Sequence, residues 1–133
     1  TAALATLKVM EEIKSWKLIT NIGKKMRQGW QKLADDHNLE IDISGIPSLS
    51  TYSFKSNKSL EYKTFITQEM LKKGYLASTN FYASTAHNED DLNLYFEALN
   101  DVYSIISACE KGNIKIEDLL KGPVCHSGFK RLN

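Results

Sequence analysis

Chemistry in this chain would have to come from a small set of side chains. In "FYASTAHNEDD", His87 stands directly before Asn88. Imidazole titrates near neutrality, so His87 could carry a proton or hold a polar ligand, although satisfying a turn is the plainer role. His37 falls in a polar helix end and His126 lies beside Cys125. A metal needs three or four converging ligands, and no His, Cys, Asp or Glu spacing here supplies them. The two cysteines, Cys109 and Cys125, lack zinc-ligand spacing and read as free thiols. Serines are frequent, yet none sits in a Gly-x-Ser-x-Gly elbow. Gly45, Gly74 and Gly112 are isolated and mark ends or turns, which excludes a phosphate-cradling loop. The carboxylates of Glu89, Asp90 and Asp91 are explained by helix capping. A Schiff base would require a lysine in a desolvated pocket, whereas the lysines read as solvated helix faces. The residues alone therefore describe a soluble α/β domain without a self-contained catalytic constellation.

The elements that must carry these groups follow from periodicity. Ala2 to about Lys14 is alanine-rich, with Leu4, Leu7 and Met10 on one face of a helix that Ser15 punctuates. From Trp16 to His37, Ile19, Ile22, Met26, Gly29, Trp30 and Leu33 recur at helical spacing. The following "DDHN" ends that helix, and Asn38 tolerates a left-handed turn. Leu39, Ile41 and Ile43 alternate with polar residues as a half-buried strand does, and Gly45 with Pro47 forces a turn. Residues 48–55 form an antiparallel partner with Tyr52 and Phe54 on one face. Asn57 or Ser59 then caps a helix through Lys73 that Gly74 closes, and Tyr75 to Ser78 reads as a short third strand.

Asn88 caps the most sharply marked helix, whose stripe runs Leu92, Tyr95, Phe96, Leu99, Val102, Tyr103 and Ile106. "IKIEDLL" supplies a short helix, and an irregular tail closes the chain. The expected fold is α/β of the α+β type: a small, mainly antiparallel sheet of three to four strands covered on one face by helices.

Composition narrows the partners. The 133 residues make one domain of 15.1 kDa, and 17 Lys and Arg against 16 Asp and Glu leave a charge of +1. Such a balance steers neither nucleic acid nor an anionic membrane toward it. With no apolar stretch long enough to span a bilayer and no signal peptide, a cytoplasmic protein is expected.

The order of motifs resembles a known family. "AALATLKVMEE", then "NIGKKMRQGWQKLADDHN", then strands, then "FITQEMLKKGYLASTNFYASTAHNEDDLNLYFEALNDV" is similar to the C-terminal domain of class III pyridoxal-phosphate-dependent aminotransferases, in the glutamate-1-semialdehyde 2,1-aminomutase branch. Gly23, Met26, Gly29, Trp30, Leu33 and Ala34 fall in step with that branch's "G..L..GL..LA" helix. Met70, Leu71, Gly74, Leu76, Phe81, Thr85, Ala86, His87, Asp90 and Asp91 follow its later motifs. The likeness covers residues 1–108, the expected small domain, and leaves 109–133 as a short helix and tail.

The resemblance implies a longer parent enzyme. Its large domain, in the same chain, would hold pyridoxal 5'-phosphate and the Schiff-base lysine, leaving this part without cofactor and inactive alone. It also implies a homodimeric parent and a small amino or keto acid substrate. Ser78, Asn80, Phe81 and Tyr82 would shape the substrate rim without transferring protons. Ala77 and Tyr82 replace a proline and a glutamate common among relatives, and "SGIPS" replaces a Gly-Ser-Met-Phe-like run. A related aminotransferase with another amino donor is therefore implied as much as the aminomutase. In the tail, Arg131 could grip a carboxylate or phosphate, with a frayed basic terminus as the plainer reading. The rival from another class is a free-standing interaction or regulatory module that presents the aromatic loop to a peptide or ligand.

Overall fold

The computed structural model describes residues 2–82 and 88–125, and their side chains except at positions 2–4, 10, 12, 13, 15 and 82. Its elements are α1 (Ala2–Ile13), α2 (Ser15–Asp36), β1 (Ile41–Ile46), β2 (Leu49–Phe54), α3 (Ser59–Lys72), β3 (Asn80–Tyr82), α4 (Glu89–Glu110) and α5 (Ile116–Leu119). The three strands form one antiparallel sheet in the order β1-β2-β3. The α+β architecture expected from the sequence is thus the one observed.

Strand pairing follows the apolar alternation. Ile41 faces Phe54 and Ile43 faces Tyr52 across β1 and β2, which puts all four on one side of the sheet. That side is covered by helices. Tyr52 meets Trp30 of α2, tilted, at 4.5 Å between ring centroids, and Phe54 meets Tyr62 of α3 at 5.5 Å and Tyr103 of α4 at 5.6 Å. The opposite side carries the exposed Asp42, Ser44 and Ser53. Met26, Phe65, Ile66, Met70, Leu99, Val102 and Ile106 complete the core. Inside it, the buried hydroxyls of Tyr52 and Tyr103 face each other and bond no third group among the described residues.

Two glycines let α2 approach its neighbours. A Cβ on Gly23 would lie 1.7 Å from the carbonyl oxygen of Pro47, so the hairpin turn rests directly on the helix backbone. A Cβ on Gly29 would lie 2.1 Å from the ring of Phe96, so α4 seats an aromatic there. Arg27, between them, reaches to the hairpin. Its Nε donates to Ser50 Oγ at 2.8 Å, and Nη2 donates to the carbonyls of Ser44 and Gly45.

Some boundaries differ from the sequence reading. The break between α1 and α2 falls on Lys14, held left-handed at φ 49°, and Ser15 begins α2 instead of punctuating α1. Neither Asn57 nor Ser59 caps α3; Ser56 Oγ accepts from the Lys58 amide at 3.2 Å. The third strand is not Tyr75 to Ser78. After Gly74, at φ 90°, the Tyr75 amide turns back to bond Met70 O at 2.8 Å, a closure typical of helix ends. The chain then runs unpaired to the edge of β2, and β3 pairs there through Asn80 with Thr51 and Phe81 with Ser50.

Asn38 is left-handed at φ 55°, as its position suggested. Asn88 Oδ1 accepts from the Asp91 amide at 2.8 Å, as the α4 cap requires. Beyond α4, the chain is strapped along α3. Gln68 Nε2 donates to Leu119 O at 3.0 Å, and Gln68 Oε1 accepts from the Lys121 amide at 2.7 Å. The Cys125 amide donates to Thr64 Oγ1 at 2.8 Å, and Lys58 pairs with Glu117 at 3.1 Å.

Candidate functional site

A cavity of about 200 Å³ opens where α2, the segment after α3, β3 and the first turns of α4 converge. Met26 and Leu92 are its buried apolar walls, and Tyr75, Ala77 and Phe81 are half-buried around it. Leu76 also lines it and is 96% exposed. Besides the phenol of Tyr75, three side chains give it polarity: Asn80, Asp91 and Tyr95.

Each polar group is placed by a different element. β3 pairing fixes Asn80 opposite Thr51, whose hydroxyl lies 2.8 Å from Asn80 Oδ1. The cap of Asn88 fixes the first turn of α4, which carries Asp91 to the cavity. Tyr95 is held by Trp30, whose indole Nε1 donates to the phenol oxygen at 3.1 Å, and by its ring contact with Tyr75 at 6.3 Å. Burial pushes the Tyr95 hydroxyl up to about 12, against the opposing pull of that indole bond. At neutral pH it is a proton-bearing phenol, able to donate and unable to act as a base.

Of the rim residues expected from the sequence, Asn80 and Phe81 line the cavity. Ser78 is half-buried nearby and does not. The side chain of Tyr82, and all of His87, His126 and Arg131, lie outside the described residues. Periodicity places Met26, Leu92 and Tyr95 in core stripes and Tyr75 in a strand, and capping explains Asp91, so the sequence does not bring them to a cleft. The one available signal was Leu76, an apolar residue with no periodic partner.

The other candidates have structural partners. His37 Nε2 lies 2.8 Å from Asn100 Oδ1, and its carbonyl accepts from Ser107 Oγ at 2.8 Å, which pins α2 to α4. Burial pushes the Cys109 thiol up, opposite to what a nucleophile needs. Among the described residues, no group of three or more His, Cys, Asp or Glu could hold a metal ion, and no helix is long and apolar enough to cross a membrane.

No family model matches the chain. It is 24% identical to the glutamate-1-semialdehyde 2,1-aminomutase of Sulfurihydrogenibium azorense, over 79% of this chain and 28% of that protein. It is 26% identical to the enzyme of the same name from Methanosphaera stadtmanae, over 72% of this chain and 26% of that one. Among solved structures, the PLP internal aldimine form of the Sphingopyxis sp. MTA144 FumI protein matches at a TM-score of 0.70 and 21% identity, over 90% of this chain and 29% of that chain. The chain is thus similar in sequence to the aminomutases and in fold to the FumI protein. It spans less than a third of the length of each of these relatives. Its described lysines are exposed or half-buried, and none of them lines this cavity.

Proposed function

We propose that this chain is the C-terminal domain of a longer pyridoxal-phosphate-dependent enzyme, an aminotransferase or an aminomutase of the glutamate-1-semialdehyde type. A larger domain of the same polypeptide would carry the cofactor and its lysine, and the present residues would wall part of the substrate cleft. The parent would be a cytoplasmic homodimer acting on a small amino or keto acid, and the chain alone would be inactive. Asn80 and Phe81 would shape the rim, with Tyr95 as a fixed donor. One observation carries this reading: a fold match covering 90% of the chain coincides with sequence similarity to aminomutases over 79% and 72% of it.

The test begins with the coding sequence upstream of Thr1. The full-length product, purified with pyridoxal phosphate, should show a visible absorption band, and borohydride should fix the cofactor to one lysine outside the present residues. Amino transfer should be measurable with glutamate-1-semialdehyde or with a keto acid acceptor. An upstream sequence lacking a cofactor domain would overturn the reading, as would borohydride labelling of a lysine in the present chain.

A further inference from the structure

The lining of the cavity carries charge information that the aminotransferase reading does not. Six of its nine lining residues are Met26, Leu76, Ala77, Phe81, Leu92 and Tyr75, which offer apolar or aromatic surface. The remaining three offer one amide, one phenol and one carboxylate, and among the described residues no lysine, arginine or histidine lines the space. A carboxylate entering here would meet Asp91, with no cation among the described lining residues to offset it. The α4 N-terminus attracts anions with roughly half a unit charge. Glu89, Asp90 and Asp91 already exceed that within the first turn. From α2, Lys25 pairs with Glu89, and Lys24 and Lys32 line neighbouring clefts and not this one.

We propose that this cleft receives a short aliphatic chain ending in a protonated amine and disfavours one ending in a carboxylate. The alkyl part lies against Met26, Phe81 and Leu92, and the ammonium reaches Asp91 at the mouth. The claim deepens the proposed function by naming the substrate end that this wall would meet, and only the word substrate rests on that reading.

The probes are n-butylammonium, n-butyrate and n-butanol, titrated into the 15N-labelled chain with amide shifts followed at neutral pH and low salt. Shifts should concentrate at Ala77, Asn80, Phe81 and Leu92, and butylammonium should bind about fivefold tighter than butyrate, the factor one charge contact in water supplies. Asp91→Asn should erase that preference while leaving butanol binding unchanged. Asp90→Asn, which alters a carboxylate outside the cleft, should keep it. Equal or tighter binding of butyrate would overturn the proposal, as would shifts centred elsewhere or loss of the preference in D90N. These outcomes are separate from the cofactor test: a parent that labels its own lysine while this cleft prefers butyrate would defeat only the inference.

Discussion

The two ends of the helical layer treat their polar groups in opposite ways. Along α3, Gln68, Thr64 and Lys58 all bond the segment from Glu117 to Cys125, and Ile116 is fully buried beneath it. Around the cavity, Leu76 stands in solvent, and Asp91 is exposed at the mouth. Hydrogen bonds satisfied within the chain add stability and leave nothing to offer a ligand. The strapped end is held by bonds within the chain, while the cleft end leaves the Asp91 carboxylate exposed.

Alkaline pH should collapse both ends together, because they share one aromatic core. Burial holds the Tyr52 and Tyr103 hydroxyls well above the usual phenol value of 10.0, and Tyr95 at about 12. A phenol whose ionisation is raised by folding contributes stability that is complete below the unfolded value and lost as pH rises through the folded one. Circular dichroism should be constant up to about pH 10 and then fall. The tyrosinate absorbance owed to Tyr52, Tyr95 and Tyr103 should appear with the loss of structure and not before it.

Gly23→Ala should produce the next largest effect and fall on the cleft side, where α2 meets the hairpin. Pro47 presents backbone to the new methyl, so overpacking should cost about 1–3 kcal/mol. Gly29→Ala should cost less, since the Phe96 ring can turn away. Urea midpoints for the two variants would check the order. The smallest change should come from Gln68→Ala, about 1–2 kcal/mol. Its mark is location: amide exchange should quicken at Lys121 and stay unchanged at Phe81. Quickening at both would show that the two ends are not separable.

Elements with a repeating pattern were legible before the structure. The α4 stripe appears as the buried Leu92, Leu99, Val102, Tyr103 and Ile106, and the alternation of Ile41 and Ile43 against Tyr52 and Phe54 appears as register. What escaped was set by distance and by bonds without a period. β3 begins at Asn80 because the chain leaving Gly74 must first travel to the edge of β2. The strap depends on a glutamine gripping backbone groups 51 and 53 residues away, which no periodic signal encodes. The cavity was hidden because Leu92 and Tyr95 belong to the core stripe and to its wall at once.

Arg27 bears on how this protein behaves in concentrated solution. β1 is an outer strand of six residues, and an outer strand invites other chains to add to it and seed fibrils. The guanidinium already occupies the Ser44 and Gly45 carbonyls at the end of that strand, and Asp42 places a charge near its start. An incoming strand would have to displace the arginine and tolerate the carboxylate. The residue that ties helix to hairpin thereby also guards the sheet against growing beyond its own chain.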